Sequence, residues 1–267
     1  MNRRKFIYNS SLATLSVVGL NSCNLVNEDV KLTILHTNDV HSQIEPFPLN
    51  HNKYPNRGGF ARRAKIFKGL MKINPNTLIF DAGDIFQGTP YFNFFKGELE
   101  LNLMKKMGYN AATIGNHEFD AGLSSLKTNI LNNDFQFISS NYNFDNTELE
   151  GLVNKYKVYK KQGVKIGVFG LGIELNGLVS SSLYLETKYY DPVEIAKEMT
   201  TKLKKEKKCD LIICISHLGH SYQNDKISDL KLGKLTSDID LIIGGHTHTL
   251  LKKPEIIKNS KNEDVII

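Results

Sequence analysis

Five short apolar runs along the chain each end in Asp, Asn or His. Leu32-Thr33-Ile34-Leu35-His36-Thr37 leads into Asp39-Val40-His41. Thr77-Leu78-Ile79-Phe80 leads into Asp81-Ala82-Gly83-Asp84, and Ala111-Ala112-Thr113-Ile114 into Gly115-Asn116-His117-Glu118. Leu211 to Ser216 ends at His217, and Leu241-Ile242-Ile243 at Gly244-Gly245-His246-Thr247-His248. Such short runs, rich in β-branched and other apolar residues and stopped by polar residues or Gly, read as buried strands. If the strands are parallel neighbours, their polar ends collect along one edge of a sheet.

The segments between them carry helical spacing. Phe60, Ala64, Phe67 and Met71 line one side of a basic amphipathic stretch. Helices are predicted over 91–107, 119–131 and 192–208, with a short one near 224–235. Further strands are predicted at 135–140 and at 156–160 with 164–170, the last two as a hairpin around Gly163. Residues 45–57, with three of the seven prolines, read as a surface loop, and 171–190 as an irregular excursion that would suit a lid. The order is mostly β-α-β with an antiparallel patch, which predicts an α/β fold of mixed sheets with helices outside. Glu255 to Lys258 reads as one arm of a hairpin. Asp264-Val265-Ile266-Ile267 reads as the start of the next strand and stops in mid-run. That ending predicts a C-terminally incomplete domain, or an edge covered by another chain.

Composition adds little until the N-terminus. The 267 residues are 40% hydrophobic and 23% charged, ordinary for a globular chain. Formal charge is +6, of which Arg3, Arg4 and Lys5 supply three, leaving +3 for the rest. Such a balance gives no case for a nucleic-acid polymer as partner, and a modest positive field suits a small anionic substrate. Those three cations, the apolar Ser11–Leu20 and then Cys23 have the layout of an export signal. Leu20-Asn21-Ser22-Cys23 resembles a lipoprotein cleavage box, and Asn2-Arg3-Arg4-Lys5-Phe6-Ile7 a twin-arginine signal. The expectation is a signal peptide over 1–22, a linker over 23–29 after a lipidated Cys23, and one domain over 30–267. The product would be a membrane-anchored lipoprotein facing the periplasm or cell surface. Cys209 and Cys214, five apart at the ends of one run, are poorly placed to pair.

The chemistry lies in Asp39, His41, Asp84, Asn116, His217, His246 and His248. Carboxylate, imidazole and amide oxygen without thiolate suit Zn, Mn, Fe, Co or Ni. Seven donors exceed one four-coordinate ion but suit two divalent ions sharing a carboxylate, for which Asp84 is the candidate bridge. In an extended segment Asp39 and His41 would point the same way. Ser216 and Thr247 are candidate partners for the imidazole nitrogens that face away from the ions. His117, next to Asn116, would face substrate, with Asp120 orienting and charging it across one helical turn. An imidazolium there stabilises a phosphoryl transition state and protonates a leaving alkoxide. His36 reads as structural, His51 as solvated, and His220 as structural or substrate-touching.

These strings resemble the calcineurin-like metallophosphoesterases. The blocks Leu35-His36-Thr37-Asn38-Asp39-Val40-His41, Arg57-Gly58-Gly59, Asp81 to Gly88 and Gly115 to Asp120 are similar to the 5′-nucleotidase and 2′,3′-cyclic phosphodiesterase branch. The resemblance implies a four-layer α/β/β/α sandwich with two mixed sheets. It implies Asp39, His41, Asp84 and His248 around one metal, Asp84, Asn116, His217 and His246 around the other, and His117 with Asp120 as catalytic dyad. A bridging water or hydroxide would attack phosphorus directly. The branch often carries glutamine at the position of His248. The implied activity is hydrolysis of phosphate monoesters, chiefly nucleoside 5′-monophosphates. The alternatives are a diesterase for 2′,3′-cyclic nucleotides or sulfate-type esters, and a non-catalytic surface accessory protein. Relatives carry a C-terminal nucleotide-binding domain that has no counterpart here, so a separate chain supplying it is an expected partner.

Overall fold

The computed structural model describes residues 29–267; the expected signal sequence and Cys23 lie outside the described residues. Strand β1 (Thr33–Thr37), β2 (Thr77–Asp81) and β3 (Ala111–Ala112) form a parallel three-stranded sheet in that order. The second sheet is mixed. It runs β10 (Ile256–Lys258), β11 (Asp264–Ile266), β9 (Leu241–Gly244), β8 (Leu211–Ser216), β6 (Val164–Leu171), β5 (Tyr156–Lys161). In it β6, β8 and β9 are parallel, and β5 and β6 make the predicted hairpin.

Three apolar clusters define the layers. Between the sheets lie Leu78 and Phe80 from one and Val168, Ile213, Ile215 and Ile243 from the other. The next residues along the same strands point outward, as the two-residue repeat of a strand requires. Ile79 meets α1 (Phe60–Ile73), α3 (Glu98–Met107) and α4 (Gly122–Asn133) through Phe67, Leu101, Met104 and Leu123. Ile212 and Cys214 meet α6 (Pro192–Thr201) and α7 (Asp229–Leu235) through Ala196, Met199 and Leu232. This is a four-layer α/β/β/α sandwich. All five residues of β2 are buried, as expected of a central strand. Cys209 and Cys214 are free and buried. Among the described residues no helix is long and apolar enough to cross a membrane.

Several boundaries differ from the sequence reading. The helix predicted over 91–107 is two, α2 (Pro90–Phe95) and α3, broken at Lys96 and Gly97. Both have positive φ, and Phe86 packs where a Gly97 side chain would stand. Around 119 a 3-10 turn (His117–Phe119) precedes α4. The helix expected to reach 208 passes from α6 into a π-helical turn (Lys202–Glu206). The strand expected at 135–140 is reduced to single bridges from Phe137 and Ile138. The excursion 171–190 is fastened rather than free. It carries α5 (Ser181–Tyr184) and β7 (Lys188–Tyr189), and β7 pairs with β4 (Tyr142–Asn143). Asn141 exchanges two 2.8 Å hydrogen bonds with the Gly172 backbone, and Leu175 is buried. The edge expected at the last strand belongs to β10 instead, because β11 lies between β10 and β9.

Candidate metal centre

The C-terminal ends of β1, β2, β3, β8 and β9 converge, and every predicted ligand leaves one of those ends. This is where open α/β sheets place their chemistry. Three groups of side chains have donor atoms within 4.8 Å of one another: Asp39, His41 and His248; His41, Asp84 and His117; Asp84, His217 and His246. Asp84 and His41 link them into one array. His41 Nε2 is 3.1 Å from His248 Nε2, His248 Nε2 is 3.3 Å from Asp39 Oδ1, and His246 Nδ1 is 3.1 Å from Asn116 Oδ1. All seven predicted ligands are brought together. His248 is the outlying member, its side chain 60% exposed.

The ligand turns are held in a conformation side chains seldom adopt. Asp39, His41, Asp84, His246 and His248 all have φ between 44° and 71°. Asp39 and His41 therefore reach the site from a tight turn, not from the extended segment the i, i+2 spacing suggested. Left-handed backbone costs on the order of 1–2 kcal/mol per residue, least for Asp, Asn and His. Five such residues are a large fraction of a domain stability of roughly 5–15 kcal/mol, so the surroundings must fix them firmly.

Much of that fixing comes from Glu118, to which the sequence alone assigns no role. Its buried carboxylate accepts from the backbone N–H groups of Asp84 (2.9 Å), Ile85 (2.7 Å), Phe86 (3.3 Å) and Gly115 (2.6 Å). One side chain thus ties the Asp84 turn to the Asn116 turn. Burial and the neighbouring Asp84 charge push Glu118 up to about 7. Gly115 completes the joint: a Cβ there would collide with Asp84 Oδ1 and come within 2.8 Å of His217 Nε2. Nothing in the local spacing of Glu118 advertises this demand for acceptors; it arises only once two loops meet. Asp39 is tied across the centre as well, accepting from His246 N at 3.0 and 3.1 Å.

The donors fit metal ions. His217 is buried, and its Nδ1 donates to Ala82 O at 2.6 Å, which leaves Nε2 facing the centre. That Nε2 has no hydrogen-bond partner, although Asp84 Oδ2 stands 3.0 Å away. A buried imidazole nitrogen and a carboxylate oxygen this close offer a ligand pair once a cation displaces the imidazole proton. Burial opposes charge on both. Even so, their mutual attraction pushes His217 up to about 9 and holds Asp84 below the ordinary carboxylate range. Burial, reinforced by His217, pushes His246 down to about 4, and burial lowers His41, so both are neutral and ready to ligate.

The proposed partners Ser216 and Thr247 do not hold the imidazoles. Ser216 Oγ accepts from Leu218 N, and Thr247 Oγ1 accepts from His220 N. His220 also reaches Glu255 at 3.3 Å, so it braces the His246–His248 turn. His117 Nδ1 is 2.7 Å from Asp120 Oδ2, and that bond raises the His117 imidazole above its ordinary value. Its ring meets His41 edge-on at 5.2 Å, and its backbone N–H donates to Asp84 Oδ1.

The calcineurin-like phosphoesterase family matches residues 32–250, the span that carries every ligand turn. The chain belongs to this family. Its members are phosphoric ester hydrolases that use two divalent metals. Among curated proteins it is similar to the trifunctional nucleotide phosphoesterase YfkN of Bacillus subtilis, 32% identical over 262 residues. That match takes in 86% of this chain and 17% of the relative. It is also similar to the 5′-nucleotidase of Vibrio cholerae, 33% identical over 243 residues, 86% of this chain and 43% of that one. Among solved structures the 5′-nucleotidase precursor of Thermus thermophilus superposes with a TM-score of 0.80 at 33% identity. It is covered to 48%, and this chain to 88%. The chain thus spans less than half the length of each of these relatives.

Proposed function

We propose that this chain hydrolyses phosphate monoesters, chiefly nucleoside 5′-monophosphates, at a dinuclear centre built around Asp84. The observation that carries the reading is the shared carboxylate: Asp84 belongs to two of the three ligand groups and stands 3.0 Å from the buried Nε2 of His217. Asp39, His41, Asp84 and His248 would hold one ion, and Asp84, Asn116, His217 and His246 the other. Two divalent ions there would supply Lewis-acid stabilisation of the phosphoryl oxygens and a water-derived nucleophile at neutral pH. The rest of the work falls to the chain. Asp120 orients His117 and raises its imidazole above the ordinary value, which favours an Nε2–H available to a phosphoryl oxygen or a leaving alkoxide. The buried walls around Asp84 and His217 exclude water from the less exposed side.

A 2′,3′-cyclic nucleotide diesterase is the second reading; the Bacillus relative, a trifunctional nucleotide phosphoesterase by name, leaves room for more than one phosphoester substrate. The Vibrio and Thermus relatives, both named 5′-nucleotidases, favour the first. We also propose anchoring through Cys23 outside the cytoplasm, and a nucleotide-binding segment supplied by another chain or domain. The test is a side-by-side assay of AMP, a 2′,3′-cyclic nucleotide and bis-p-nitrophenyl phosphate, with and without added Mn or Zn. Metal-dependent phosphate release, fastest from AMP, is the expected result. Protein that holds two ions yet turns over none of the three would overturn the reading.

A further inference from the structure

A buried acid outside the ligand set stands under one of the ligand turns. Glu100 lies in the first turn of α3 on the side that otherwise packs Leu101, Met104 and Met107 into the core. It is fully buried, and its Oε2 has no hydrogen-bond partner. An apolar residue would suit that position better, because a buried carboxyl with one oxygen unsatisfied lowers stability. Burial also raises Glu100 above the ordinary carboxylate range. Its other oxygen, Oε1, accepts from the hydroxyl of Ser42, which is itself fully buried and follows His41 directly.

His41 and Ser42 are consecutive residues with positive φ, 44° and 53°. Two in succession are not held by local preference, so the grip must come from elsewhere. From one side the 84–89 segment provides it. His41 N donates to Asp84 O, Ser42 N donates to Ile85 O, and Thr89 Oγ1 donates to Ser42 O at 2.8 Å. Gly88 packs so closely that a Cβ there would stand 2.7 Å from His41 O. From below, the only side chain from the helical layer that hydrogen-bonds Ser42 among the described residues is Glu100.

We propose that Glu100 is a positioning residue for His41, acting through Ser42, and so sets the affinity of the ion held by Asp39, His41 and His248. The inference rests on the two-ion reading above. It explains why an acid occupies a core position: the carboxyl is kept for the aim of an imidazole, at the expense of packing.

The test compares full-length parent, Glu100→Leu, Glu100→Gln and Ser42→Ala in titrations of metal-free protein with Co(II), alongside thermal melts. Asp39→Asn identifies which binding step belongs to the His41 side. In Glu100→Leu that step should weaken roughly tenfold to 100-fold, the range for removing a group that orients a ligand. The His217 step should stay within about twofold, and the metal-free variant should melt no lower than parent. Glu100→Gln keeps an acceptor for Ser42 and should stay near parent, while Ser42→Ala should weaken the same step as Glu100→Leu. Equal weakening of both steps together with a lower melting temperature would reduce Glu100 to general support and overturn the proposal, as would unchanged steps in Glu100→Leu. Parent protein with a single step would instead defeat the two-ion reading. The affinity of Glu100→Leu for that one ion would then still decide whether Glu100 orients His41.

Discussion

Glu118→Gln offers the sharpest probe of how the centre is built, because the exchange preserves shape and removes acceptors. Oε1 of Glu118 serves Ile85 N and Phe86 N, and Oε2 serves Asp84 N and Gly115 N. Whichever way the amide of a glutamine turns, its NH2 faces two backbone N–H donors. Two buried donors lose their partner, at about 1–3 kcal/mol each. The variant should therefore lose on the order of 2–6 kcal/mol, a substantial share of a typical domain's stability. At roughly 2–4 °C per kcal/mol for a domain this long, the metal-free melting temperature should fall by roughly 5–20 °C. The Asp84 and Asn116 turns are held to each other through this group, so ion binding should weaken at both sites. Melting of chelator-treated protein, followed by titration with Mn(II), measures both effects. A variant that melts within about a degree of parent and keeps both affinities would refute the assignment of Glu118 as the joint.

Other substitutions separate the roles within the centre. His117→Asn should lower kcat while leaving metal content near that of the parent; loss of metal would move His117 into the ligand set, where its distance to His41 and Asp84 allows it to stand. Asp120 raises His117, so a rate that needs the imidazolium declines as pH rises through the His117 value; in Asp120→Asn that alkaline limb should move to lower pH in a pH–kcat profile. Asp84→Asn should disturb both ions, and two tightly held ions with normal turnover would remove Asp84 from the bridge. His217 is pushed up to about 9 in the metal-free protein, so an ion must displace its proton. Ion binding at neutral pH should release a proton, visible as a calorimetric heat that varies with buffer, and affinity should fall as pH is lowered.

The layers and the clustering of the predicted ligands were legible because two simple signals agree. The two-residue repeat of Leu78, Ile79 and Phe80 allots alternate side chains to the inter-sheet core and the helical layer. The polar residues that stop each run mark the strand ends where a site can form. What the chain did not disclose depends on tertiary approach. The break at Gly97 is set by Phe86 packing from another segment, and the 171–190 segment is fastened by Asn141, 31 residues from its partner Gly172. The π-helical turn after α6 has no counterpart in a 3.6-residue pattern. Glu118 and Glu100 carry no signal either: an acid in an apolar stretch reads as surface until the N–H or hydroxyl it serves is in place. The i, i+2 logic for Asp39 and His41 brought both side chains to the cluster through the wrong backbone, since both sit in left-handed turns.

The most direct measurement is anomalous diffraction from crystals of the mature protein grown with Mn(II). The account requires two peaks about 3.5–4 Å apart, one on each side of the Asp84 carboxylate, with His41 against one and His217 against the other. A single peak, or two ions that do not share Asp84, would contradict it.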